Sequence, residues 1–193
     1  QRAKEAARAV TCGANERVLY HAHQQYQNDY DGYMILHQWY RIGTDQWQGP
    51  WNRYLTNPDT GYCQAFVDAR DAGAFYCPTW AEKPINGVRY GRNAAIGDGW
   101  SILLRADHRN NFNPDTWRQE WPRRGEYKRP DRCFEWACHD GGRMTYWYAG
   151  DQLEAQHYKQ DDQPKSPTVF MDGHVENMTY PDFYTNRDLW VGR

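Results

Sequence analysis

The first thirty residues carry one glycine and no proline, and their apolar positions recur at helical spacing. Ala3, Ala7, Val10, Ala14, Val18, Ala22 and Tyr26 follow at steps of three or four, with Leu19 beside them. Lys4, Arg8, Glu16, Arg17 and Gln24 take the wetter side. This pattern predicts an amphipathic helix over residues 1–30, about 45 Å long at the usual rise. It ends near Asn28-Asp29, because Asp31-Gly32 is a turn signal. So long an opening helix reads as a spine along which the rest packs, and its apolar stripe as an assembly face.

Past the spine the pattern shifts toward short β-type runs. Residues 31–50 pass from a turn into a strand-like run and an aromatic loop, and 65–72 suit a helical turn. Residues 74–78 read as an apolar strand ended by Pro78, 88–93 as strand then turn, and 100–106 as a buried strand. Residues 143–149 are rich in β-formers. Residues 107–132 are polar, proline-punctuated and poorly patterned, which predicts a loop excursion from the head. Near the C-terminus, Asp172-Gly173 separates two β-type runs, the signal of a hairpin whose type I′ turn needs positive φ at both residues. The expected fold is α+β: a spine helix over 1–30 packed on a small antiparallel sheet, within a head over 31–193 that has long aromatic-rich loops and a closing hairpin.

Lys and Arg number 23 against 25 Asp and Glu, with no basic stripe, so nucleic acid is not an expected partner. No run reaches the apolar length of a membrane span. Gln1 is an improbable translation start, so a preceding segment is expected. Ten Trp, fifteen Tyr and six Phe point to a core built of large rings whose N–H and O–H groups need partners. Rings in loops 39–51 and 107–130 also suit stacking on sugar faces, with Trp117 and Trp121 as the candidate platform of a carbohydrate-binding or adhesion module.

Cysteines stand at 12, 63, 77, 133 and 138. Cys63/Cys77 and Cys133/Cys138 flank loops of a size that extracellular domains staple, leaving Cys12 free or paired with Cys77. A zinc site from Cys133, Cys138 and His139 is the metal alternative, lacking a fourth ligand. Asp151, Asp161 and Asp162 are the carboxylates a calcium loop would draw on, but they lack regular acidic spacing. The expectation is therefore no cofactor, with calcium as the alternative. No metalloprotease, nucleophile-elbow or phosphate-loop motif occurs, and the seven histidines read as solvent-facing or structural, so no catalytic residue and no enzymatic activity are expected.

Ala7, Arg8, Cys12 and Asn15, then Tyr26 and Asp31-Gly32-Tyr33, form an ordered series. Phe75-Tyr76-Cys77-Pro78, Tyr90-Gly91-x-Asn93, Ser101–Leu104 and Phe170-Met171-Asp172-Gly173-His174-Val175-Glu176 continue it. The series resembles type IV pilin-like, type II secretion protein G-like pseudopilins with a C-terminal His–nine residues–Asp-Gly motif. The chain departs from that motif at the histidine: nine residues before Asp172 stands Asp162, and His157 lies farther back. The resemblance implies a bacterial extracellular or cell-surface subunit processed through the prepilin pathway. It further implies a preceding apolar segment held in the inner membrane, and homo-oligomeric or mixed assembly with pilin-like partners.

Overall fold

The computed structural model describes residues 2–35, 38–41, 46–50, 55–58, 63–79, 90–93, 123–138, 142–144, 157 and 164–185. Helix α1 spans Arg2–Asp29. It stops because Asp31 and Gly32 both take left-handed backbone, φ 50° and 79°. Gly32 N–H then reaches back to the Gln27 carbonyl at 2.7 Å. The remaining elements are β1 (Gln38–Arg41), β2 (Gln46–Pro50), α2 (Gln64–Asp71), β3 (Tyr90–Asn93), β4 (Phe134–Cys138), β5 (Gly142–Met144), β6 (Lys165–Phe170), β7 (Val175–Thr179) and α3 (Tyr180–Thr185).

The fold is α+β. Strands β1 and β2 pair antiparallel on their own, and the other five form one sheet in the order β5-β3-β4-β6-β7. Four of these strands pair antiparallel, while β5 joins the edge parallel to β3, so the sheet is mixed rather than wholly antiparallel. Central β4 is buried at all five positions. Between β4 and β6 the register slips at Glu135, the extra residue of a bulge.

Strands β6 and β7 are joined through residues 171–173. Phe170 and His174 close the ladder, with Phe170 N–H on the His174 carbonyl and Gly173 N–H on the Phe170 carbonyl, both at 2.9 Å. Gly173 takes φ 92° and Asp172 stays out of the positive-φ region. The connection is thus a three-residue loop with a glycine bulge, not the expected two-residue type I′ turn. A Cβ on Gly173 would stand 2.8 Å from Tyr20 Cε1, so the loop needs its glycine for packing as well as for backbone.

Helix α1 lies across β6 and β4. At Gly13 it packs tightly, since an added Cβ would meet Val175 Cγ1 of β7 at 3.1 Å. The main core joins Leu19, Tyr20, Ala22 and Tyr26 of α1 to Phe66, Phe75, Tyr90, Trp136 and Val169. A second cluster gathers Met34, Tyr127, Cys133 and Met171.

Residues 123–132, expected in a loop excursion, dock instead. Arg124 N–H bonds the Gly32 carbonyl at 2.9 Å, and its guanidinium donates to Tyr20 Oη and the Met171 carbonyl at 2.7 and 2.6 Å. Residues 74–78 are a string of turns rather than a strand. The run at 100–106 lies outside the described residues.

Candidate functional site

The inward side of α1 is unexpectedly polar. Cys12, Glu16, His23 and Gln27 are buried beside Leu19 and Tyr20. Of the predicted stripe, Ala22 and Tyr26 are buried, whereas Ala3, Ala7, Val10, Ala14 and Val18 face outward. Val10 is 73% and Val18 39% exposed. The head therefore packs on a different face from the one hydropathy singles out, because the inward polar groups find partners on distant segments.

The first set of partners forms a cluster of four. Cys12 of α1, Cys77 in the turns after α2, Cys138 at the end of β4 and His157 are all buried, with ligand atoms within 4.8 Å of one another. Cys77 Sγ lies 3.2 Å from His157 Nε2. On the far side of the ring, Nδ1 faces Glu5 Oε1 at 3.0 Å and Thr79 Oγ1 at 3.1 Å. With a carboxylate accepting at Nδ1, the ring proton sits there and Nε2 turns a lone pair into the cluster.

Hydrogen bonds to backbone fix each contributor. Asn15 Nδ2 and Tyr90 Oη both donate to the Tyr76 carbonyl, at 2.8 and 3.1 Å, setting the chain just before Cys77. Ser166 Oγ donates to the Cys138 carbonyl at 2.9 Å. His157 exchanges two backbone bonds with Lys165, at 3.2 and 2.9 Å.

Electrostatics differ across the cluster. Burial pushes the Cys12 and Cys138 thiols well above their ordinary range. Cys77 goes the other way, because hydrogen bonds from Cys12 and Cys138 favour its thiolate. Glu16, whose Oε1 receives the Cys12 thiol at 3.8 Å, is driven by burial toward its neutral form. Three sulfurs and one imidazole nitrogen form a set suited to a thiophilic transition metal. Buried this way, the Cys12 and Cys138 thiols make poor nucleophiles for a substrate.

The second set of partners is a buried pair. His23 Nδ1 meets the Glu135 carboxylate, with exposures of 0% and 1%. Ile35 N–H donates to His23 Nε2 at 3.0 Å, so Nε2 is an acceptor and the proton on Nδ1 points at Glu135. The bulge in β4 is what aims this carboxylate at the helix.

The expected disulfides are replaced by free thiols at all five cysteines. Cys133 and Cys138 lie five positions apart along extended chain, about 16 Å. A bridge closes only when the Cα atoms approach within about 7 Å. Cys63 sits at the N-terminus of α2, where burial raises its pKa. The Cys12–Cys77 alternative does bring those two sulfurs together, but beside Cys138 and His157. Of the sequence-level zinc set, Cys138 belongs to the cluster. Cys133 packs with Met34, Tyr127 and Met171, and burial raises its pKa. His139 lies outside the described residues.

The calcium candidates Asp151, Asp161 and Asp162 and the stacking candidates Trp117 and Trp121 also lie outside the described residues. Asp172 is a turn residue: its Oδ1 accepts His174 N–H at 3.1 Å and faces His174 Nδ1 at 2.5 Å. The histidines expected to be solvent-facing or structural include two, His23 and His157, whose side chains are wholly buried in polar nests. The available signal was an odd cysteine count together with a Cys on the helix at the start of the resemblance series.

No protein-family model, no curated protein and no solved structure matches the chain.

Proposed function

We propose that the chain is a structural, non-catalytic subunit of a pilus-like filament or pseudopilus, assembling through the outer face of α1. The observation that carries this reading is the exposure of Ala3, Ala7, Val10, Ala14 and Val18 along a 28-residue helix whose other side is fixed to the sheet. Water gains nothing from an ordered row of alanine and valine, whereas a neighbouring helix does.

Beside the row runs an open groove of about 380 Å³, lined by Val10, Gly13, Ala14, Arg17, Pro167 and Val175. Row and groove share Val10 and Ala14 and form one continuous patch; on the filament reading it meets a different surface of the next subunit, the heterologous contact that propagates rather than closes. The resemblance to pseudopilins supports the same reading. On it, the β6–β7 hairpin and the aromatic-rich loops complete a pilin-like head, and placement is at the bacterial cell surface or outside the cell, by the prepilin pathway with an inner-membrane stage. Among the described residues, no helix is long and apolar enough to cross a membrane.

The test uses the full-length chain in its own host. Val10→Glu is expected to remove the protein from sheared surface filaments while leaving the melting temperature of the purified chain unchanged. Recovery of the variant in that fraction at the level of the unsubstituted protein would overturn the proposal.

A further inference from the structure

Three features besides the four-residue cluster stand out: the His23–Glu135 pair, the groove beside α1 and the Arg124 contacts. The pair is already satisfied by its own partners, the groove belongs to the assembly reading above, and Arg124 is engaged by Tyr20 and Met171. The cluster is different, because its own hydrogen bonds leave its chemistry incomplete.

Three thiols and an imidazole converge from four separate segments, their ligand atoms within 4.8 Å of one another. Thiolates buried this closely need a compensating charge, which a metal ion supplies. From this geometry we infer that Cys12, Cys77, Cys138 and His157 bind one zinc ion in a closed, tetrahedral, structural site.

Three observations carry the inference. First, the donor set is S₃N, one of the standard sets for structural zinc. Zinc–sulfur bonds of about 2.3 Å place tetrahedral sulfurs about 3.8 Å apart, so ligand atoms within 4.8 Å of one another need to close by at most about 1 Å. Second, the Glu5–His157 contact reproduces the carboxylate–histidine arrangement that orients a metal-binding imidazole, with Nδ1 engaged and Nε2 directed inward. Third, all four side chains are buried, which leaves no position for water or substrate and distinguishes the site from a catalytic one. The backbone anchors on Tyr76, Cys138 and His157 hold the donors before the ion arrives.

Binding is a simple exchange. Zn²⁺ accepts electron pairs from three sulfurs and Nε2, any thiol protons are released to solvent, and no electron is transferred. The divalent charge against three thiolates leaves one net negative charge at the site.

The test is native and denaturing mass spectrometry of the chain purified without chelator, together with metal analysis and a cobalt exchange. One zinc per chain, lost on denaturation, with all five cysteines alkylatable afterwards, is the expected result. Cobalt(II) exchanged into the site should show the intense visible bands of tetrahedral coordination and a thiolate charge-transfer band in the near ultraviolet. Cys138→Ser should lose the metal, whereas Cys63→Ser, outside the cluster, should keep full stoichiometry. Because Cys138→Ser is exposed to misfolding, the unsubstituted chain decides the matter. A metal-free chain, iron in place of zinc, or a disulfide among Cys12, Cys77 and Cys138 in native material would each overturn the assignment. None of these outcomes depends on filament formation.

Discussion

The two faces of α1 are a study in opposites. The outer face is a row of small aliphatic residues in solvent, while the inner face carries Cys12, Glu16, His23 and Gln27 into the core. Ordinary amphipathic logic would place them the other way round. What reverses it is partner supply. Two of the inward polar groups meet groups brought from far along the chain: Cys12 meets Cys77, Cys138 and His157, and His23 meets Glu135. A polar residue is costly inside only when it is left unpaired, so a helix can be anchored by polar contacts and keep its apolar side for something else.

The sharpest way to break that comparison is at the buried pair. Glu135→Ala leaves His23 without its acceptor on the inner face, and loss of one member of a buried pair costs about 3–5 kcal/mol. Urea denaturation should show that loss, and Glu135→Gln, which still accepts from Nδ1–H, should recover part of it. A change within experimental error for Glu135→Ala would mean that the inner face is held by apolar packing alone.

Neighbouring positions on opposite faces give the next test. Leu19 is fully buried, and Leu19→Ala is expected to cost about 2–5 kcal/mol. Val18→Ala, one residue away on the exposed side, should fall within about 0.5 kcal/mol of the unsubstituted chain. Equal losses at the two sites, read from midpoint shifts in the same titration, would erase the distinction. The smallest of the destabilising effects is expected at Gly173. There Gly173→Ala combines a positive φ with a 2.8 Å approach to Tyr20, for about 1–3 kcal/mol. Tyr20→Ala in the same background should relieve the steric part of that penalty, which a double-mutant cycle would measure.

The sequence made the extent of α1 legible because extent is a local property. One glycine, no proline and a left-handed stop at Asp31-Gly32 suffice. Its orientation is not local. Ala3, Val10 and Val18 look like the core side only until the positions of Glu135 and His157 are known. Strand β4 went unread for a related reason. Glu135 interrupts Phe134–Cys138 at its second position, and nothing near it in sequence shows that a histidine over a hundred positions earlier will neutralise the burden of burying it.

Residues 74–78 carry the opposite lesson. Their aromatic and apolar content reads as a strand, but Gly73, at φ 75°, opens a series of turns that delivers Cys77 into the cluster. Cysteine pairing by nearness along the chain failed because the true neighbours come from residues 12, 77, 138 and 157. The Asp172-Gly173 signal located the join between β6 and β7, while the packing of Tyr20 against Gly173 accompanies a loop of different geometry.

The span of that four-residue cluster also sets an order of events. Its first member lies in the opening helix and its last at position 157, so the inner face of α1 is completed only after most of the chain has been made. Contacts between residues so far apart close slowly, since long loops must be ordered before they contribute stability. During synthesis the helix waits with its outer apolar row already formed and its inner side open. On the proposed assembly through that row, a chain halted before residue 157 would present the assembly face without a completed inner face.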